Sequence, residues 1–178
     1  MKTDFEMDYY RMTGTTYHPG IKSFIHCLYS HQIRYVRLWR KAKASGSIIH
    51  RTRLKRYALK YGIEISTQAE IGHGLYLGHP YNITVGNAKL GNNVNLHKGC
   101  TIGQENRGRR AGAPTIGNNV SVGINATVIG NITVGNDVMI APGSFVNFDV
   151  PDHSIVVGNP GVIHHKANAT QDYICFTV

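Results

Sequence analysis

T-I-G-N-N-V-S-V-G-I-N-A-T-V-I-G-N-I-T-V-G-N-D-V-M-I-A-P-G-S-F-V (115–146) returns to an aliphatic residue every sixth position. Ile116, Val122, Val128, Val134, Ile140 and Val146 hold this register without a break. Val120, Ala126, Ile132, Val138 and Ser144 form a second, often smaller, inward series. The two series stand two residues apart across each repeat boundary, which is the strand period followed by a corner. Gly or Ala follows many of the aliphatic positions, and Asn118 and Asn119 stand at a corner, where left-handed backbone angles are tolerated. This six-residue period predicts a parallel β-helix with three faces and 18 residues per coil.

The pattern extends backwards from this stretch. Ile65, Ile71, Leu77 and Ile83 keep the spacing; after one extra residue Leu90, Leu96 and Ile102 resume it. Ala69, Leu75, Val94 and Cys100 supply the second series. The organisation that follows is a basic helical region over 1–62, a β-helix of about five coils over 63–151 with an inserted loop at 103–115, and a tail over 152–178. The column of inward aliphatics needs covering at both ends. The helices suit the first coil and the tail suits the last. Periodicity alone leaves the handedness open, although the usual crossover rule favours right-handed winding.

The chain has 178 residues, 42% of them hydrophobic and 16% charged, with 19 Lys and Arg against 10 Asp and Glu. That length suits one domain with a small appended module. No run of about 18 apolar residues is present for a spanning helix. The amino terminus resembles no signal peptide, so a cytoplasmic location is expected. Cys27, Cys100 and Cys175 lack disulfide-framework or zinc spacing, and each reads as a small buried hydrophobe; no metal is expected. Twelve Lys or Arg and no acid lie between Tyr9 and Ile63. There Ile25, Leu28, Tyr29, Ile33, Val36 and Trp39 recur at helical spacing, and a second helix is expected over His50 to Tyr61 with Leu54, Tyr57 and Ala58 inward and Gly62 as its stop. This basic stretch reads first as a solvated face packed on the β-helix, with peripheral membrane contact as the other reading. No nucleic-acid-binding signature accompanies it.

Over residues 62–166 the sequence resembles the hexapeptide-repeat acyltransferases, and more closely their serine acetyltransferase branch. I-E-I-S-T-Q-A-E-I-G-H-G-L-Y-L-G-H-P (63–80) is similar to the branch's segment around its catalytic histidine, and V-V-G-N-P-G (156–161) to its closing motif. The resemblance implies a left-handed β-helix, a homotrimer, and acetyl-CoA as cosubstrate. With H-P-Y and F-V-N-F-D-V-P-D-H-S-I-V-V-G-N-P, the chain looks most like the short members associated with capsule or exopolysaccharide synthesis.

Acetyl transfer to an alcohol requires a base for the hydroxyl proton and donors for the oxyanion. By its place in the motif, His79 is the expected base, and Glu64, fifteen residues earlier, is expected to orient it as a triad acid does. His97 follows inward Leu96 one coil on and should face the same region; with Tyr81 and Arg107 it is a candidate for holding the acceptor. His18, His73, His164 and His165 read as surface histidines. The resemblance places acetyl-CoA along Gly103, Gln104, Gly123, Ile124, Ala141 and Pro142, with Asn159 and Lys166 near its phosphate end. The inserted loop should project from the helix. Serine acetyltransferases typically end it in D-R-H-P, where this chain has A-G-A-P at 111–114, and Gly78 stands where an aspartate is expected. Those departures favour a saccharide hydroxyl as acceptor. L-Serine is the alternative acceptor, and a non-catalytic β-helix that binds a membrane or partner is the second alternative.

Overall fold

The computed structural model describes residues 2–178. Four helices, α1 (Asp4–Thr13), α2 (Ile21–Tyr29), α3 (His31–Ser45) and α4 (Ile48–Tyr61), precede fifteen short strands numbered β1 to β15 in chain order. The strands form three sheets. The first stacks β1 (Glu64–Ile65), β4 (Thr84–Val85), β7 (Thr101–Gly103), β10 (Thr127–Ile129) and β13 (Phe145–Val146). The second stacks β2 (Glu70–Ile71), β5 (Lys89–Leu90), β8 (Thr115–Ile116) and β11 (Thr133–Val134). The third stacks β3 (Tyr76–Gly78), β6 (Asn95–His97), β9 (Val120–Val122), β12 (Val138–Ile140) and β14 (Ser154–Val157), and is closed by the antiparallel β15 (Val162–His165). All other pairings between these strands are parallel, so the chain is the expected β-helix. Leu77, Leu96, Val122, Ile140 and Val156 lie in register up one face, and every member of both inward series is buried.

The irregular coil lies elsewhere than the spacing suggests. Ile65 pairs with Val85, twenty positions from 65 to 85 rather than eighteen. Ile83 is buried, but it stacks with the second series, below Cys100, Ala126 and Ser144, as the bonds Glu64 N–H to Ile83 O, Thr84 N–H to Cys100 O, Thr101 N–H to Ala126 O and Thr127 N–H to Ser144 O show. The extra residues therefore bulge out at His79–Asn82, between β3 and β4. Within that bulge His79 and Asn82 adopt positive φ, 48° and 53°.

The helical cap forms as its termini dictate. Thr3 and Glu6 make a capping box on α1, and Gly14, Gly46 and Gly62 end α1, α3 and α4 in left-handed conformations. The single amphipathic helix expected through Ile25 and Trp39 is broken at Ser30, which caps α3 by accepting from Ile33 N–H. Ile33, Val36 and Trp39 are buried, whereas Ile25, Leu28 and Tyr29 are exposed. α3 meets the open edge of the first coil with side chains. Trp39 Nε1 donates to Ser66 O, Lys43 to Ala69 O, and Arg40 to Ile71 O and Gly72 O, while Tyr35 Oη accepts from Ile65 N–H. Buried Asp8 of α1 accepts from Leu75 N–H at 2.8 Å and is paired with Arg40 at 2.8 and 3.0 Å. Backbone groups that a further coil would have satisfied are thus satisfied by side chains.

The tail returns along a corner of the solenoid. Asn93, Asn119, Asp137 and His153 stand one above another there with φ between 53° and 56°. Asp137 accepts from Ala169 N–H, Thr170 N–H and Thr170 Oγ1, and Asn93 exchanges two hydrogen bonds with the Val178 backbone. Cys27 and Cys100 are buried as expected; Cys175 is exposed. Burial pushes the Cys100 thiol up to about 12.

Candidate active site

The corner between the third and first sheets gathers most of the residues singled out from the sequence. His79 follows β3, His97 ends β6, Gly123 and Ile124 follow β9, and Ala141 and Pro142 follow β12. Backbone bonds tie the successive corners together: Lys98 N–H to Gly78 O, Asn125 N–H to Lys98 O and Gly143 N–H to Ile124 O. The result is one vertical edge with two histidines at its lower end and small residues above.

His79 is exposed, and its carbonyl accepts from Tyr81 N–H at 2.8 Å. A left-handed histidine is uncommon and costs on the order of 1 kcal/mol, the kind of strain that gathers at functional positions. His97 is half-buried. Its Nδ1 donates to Val122 O at 2.9 Å; a carbonyl only accepts, so Nδ1 carries the proton and Nε2 of the neutral ring is left as an acceptor. The ring lies 6.3 Å from that of Tyr76. It also occupies the space in front of Gly78, where a Cβ would approach His97 Cδ2 to 2.5 Å. The missing aspartate is thereby explained: the imidazole fills the volume that an acid side chain would need.

The other expected residues fall around this edge or away from it. Glu64 lies at the foot of the corner, its N–H bonded to Ile83 O, but its side chain makes no hydrogen bond to His79 among the described residues. It lines a cleft between α4 and the first sheet, together with Arg51, Lys55 and Thr84. Tyr81 turns back onto the helical cap, 5.2 Å from the His31 ring and 5.9 Å from that of Tyr61. Gly103 ends β7 and Gln104 follows it, at the far side of the first sheet from His79 within one chain. Asn159 and Lys166 are exposed around the β14–β15 hairpin.

The inserted loop projects less than its length suggests. Glu105 and Gly112 exchange backbone hydrogen bonds at 3.0 and 2.9 Å, and Arg110 O accepts from Asn131 N–H, so its base is pinned to the next coil. Arg110 is paired with Glu105 at 3.2 Å, whereas Arg107 and Arg109 are exposed at the tip. Among the described residues, no cluster of three His, Cys, Asp or Glu could hold a metal, and no helix is long and apolar enough to cross a membrane.

A parallel β-helix built on six-residue repeats, with a histidine-bearing edge and a pinned loop, defines the chain as a member of the hexapeptide-repeat transferase class. The family described as Bacterial transferase hexapeptide (six repeats) matches residues 113–147. Among curated proteins, a serine acetyltransferase of Staphylococcus xylosus is 35% identical over 140 residues, 78% of this chain and 63% of the relative. Serine acetyltransferase 2 of Arabidopsis thaliana is 33% identical over 136 residues, 76% of this chain and 41% of the relative. The chain thus spans less than two thirds of the length of these relatives. Among solved structures, serine acetyltransferase of Neisseria gonorrhoeae in complex with serine superposes with a TM-score of 0.75 at 29% identity, covering 90% of this chain and 67% of that one. These relatives correct the reading of the acceptor. The A-G-A-P ending and Gly78 pointed to a capsule or exopolysaccharide saccharide, but the similar proteins are serine acetyltransferases, and the saccharide assignment is withdrawn.

Proposed function

We propose that the chain transfers acetyl from acetyl-CoA to the hydroxyl of L-serine, giving O-acetylserine and free CoA. The observation that carries this reading is the edge itself: His79 and His97, with Ile124 and Pro142 above them, on a fold similar to that of serine acetyltransferases. His79 takes the serine hydroxyl proton as the oxygen attacks the thioester carbonyl. The tetrahedral oxyanion collapses, the C–S bond breaks, and the CoA sulfur leaves and takes the proton back from the imidazolium. Glu64 at the foot of the same corner is the group assigned to orient His79. His97, with Nε2 free, and Tyr81 flank the acceptor, and exposed Arg107 is suited to its carboxylate.

Pantetheine runs up the edge past Gly123, Ile124, Ala141 and Pro142 towards Asn159 and Lys166. Gly103 and Gln104 lie at the other side of the first sheet, so a second copy must bring them to the cleft. A homotrimer with the cleft between neighbouring chains meets that need. The test is CoA thiol release from acetyl-CoA with and without L-serine. Serine-dependent release is expected, and His79→Ala should lower kcat by about 10² to 10⁴. Release that ignores L-serine, or full activity in that variant, refutes the assignment.

A further inference from the structure

α2 is turned inside out. Its inward residues are Ser23 and Cys27, while Ile21, Phe24 and Leu28 face out at 79%, 64% and 50% exposure. Exposed apolar groups on so short an amphipathic helix mark a surface that meets something apolar. The neighbouring surface is basic. On α3, Arg34, Arg37, Leu38 and Lys41 recur at three- and four-residue spacing on the face opposite buried Val36 and Trp39. That outward stripe is bracketed by α2 and α4, since Arg37 Nη1 lies 3.9 Å from Cys27 Sγ and the Arg34 guanidinium lies 6.0 Å from the Tyr57 ring. Between α3 and α4 a pocket is lined by Arg34, Leu38, Arg53, Arg56 and Tyr57, three guanidinium groups without a carboxylate. The Nε atom of Arg34 is buried there with no hydrogen-bond partner among the described residues.

We propose that the outward face of the helical cap docks on an anionic phospholipid bilayer, with Arg34, Arg53 and Arg56 taking a lipid phosphate and Ile21, Phe24 and Leu28 entering the boundary between headgroups and acyl chains. Two observations choose this occupant. Helices α2, α3 and α4 carry no acid, and the acids nearest the stripe, Asp4 and Glu6 of α1, stand at its edge beside Arg37 and Lys41, so a second copy meeting the Arg34–Arg53–Arg56 pocket would set like charge against like. A nucleic acid would satisfy the arginines but leave the apolar residues of α2 against a charged backbone. A bilayer surface with phosphates over acyl chains matches both parts.

The test uses the full chain and vesicle flotation, comparing phosphatidylcholine alone with phosphatidylcholine mixed with phosphatidylglycerol. Binding is expected only to the mixed vesicles, and it should weaken as salt is raised. Arg34→Gln, Arg53→Gln and Arg56→Gln together should lower partitioning on the order of a hundredfold. The exposed pair Arg53→Gln and Arg56→Gln alone should lower it at least about tenfold while acetyl transfer and the helical circular dichroism stay unchanged. Phe24→Ser with Leu28→Ser should also release the chain. The proposal fails if both vesicle types bind equally, if the serine variants still float, or if RNA or inorganic phosphate is bound while vesicles are not. Dimerisation through this face without vesicle binding overturns it as well.

Discussion

Gly78 controls the geometry around both histidines without carrying a side chain. A methyl group there would meet the His97 ring, and the ring is held by its bond to Val122 O, so it can yield only by giving up that bond and its fixed tautomer. Gly78→Ala is expected to cost about 1 kcal/mol of stability for the lost bond, and about 10²-fold in kcat/KM with L-serine through misplacement of the imidazole. Steady-state kinetics beside a thermal melt check this, and an unchanged kcat/KM would show that His97 takes no part. The place of His79 at a corner just after an inward leucine was legible from the repeat, and its expected role as base came from the motif around it. The partnership of Gly78 with His97 was not legible, because the two residues are nineteen apart and meet only through the register of β3 on β6. Glu64 was expected from its place in the motif, fifteen residues before His79, with a regular coil of eighteen residues bringing the two near each other. The bulge at His79–Asn82 breaks that count, and the aliphatic Ile83 hides the break by occupying the sixth position after Leu77.

Among the elements, the tail is held by a carboxylate whose hydrogen bonds favour its charged form. Burial alone would raise the Asp137 carboxyl, but the hydrogen bonds from His153, Thr170 and Ala169 outweigh it and hold the group below the usual carboxylate range. A depressed folded value means that protons prefer the unfolded chain. The stabilisation is therefore complete above the unfolded carboxylate value near ~4 and disappears as pH falls through the lower folded value. Hydrogen exchange in residues 168–178 should accelerate as the medium is acidified below about pH 4. Asp137→Asn should exchange quickly at neutral pH and lose the acid dependence; an unchanged tail in that variant would show that other contacts hold it. The strands themselves were legible because one period of six runs through them. The helices were less so. The reading assumed that apolar residues point inward, which α2 contradicts, and α1 went unread because its inward face includes Asp8 and Arg11, although the Thr3–Glu6 capping box was present in the sequence.

For the whole molecule, the junction between cap and solenoid rests on a fully buried carboxylate, Asp8, and the largely buried Arg40. Asp8 accepts from Leu75 N–H and pairs with Arg40, which in turn reaches Ile71 O and Gly72 O. Asp8→Asn leaves the Arg40 guanidinium with only the exposed and more distant Asp4, at 3.6 Å, as counter-charge and should cost about 3 kcal/mol. Because the helices meet the column through this group, denaturant unfolding of the variant should show the cap melting ahead of the β-helix. A single transition at the original midpoint would mean that the junction is carried by Trp39 and the aliphatic contacts alone.

The same junction bears on association between molecules. Stacked parallel strands are a natural template, and a bare end would invite another chain to add its own strands. Here the lower rim is occupied by Trp39, Arg40 and Lys43 from α3, and on the third sheet the upper rim ends in a strand of reversed direction that carries His164 and His165 and is followed by Lys166. At the lower rim and on the third sheet the parallel, uncharged ladder that end-to-end growth would require is therefore missing, which disfavours the stacking of one solenoid on another.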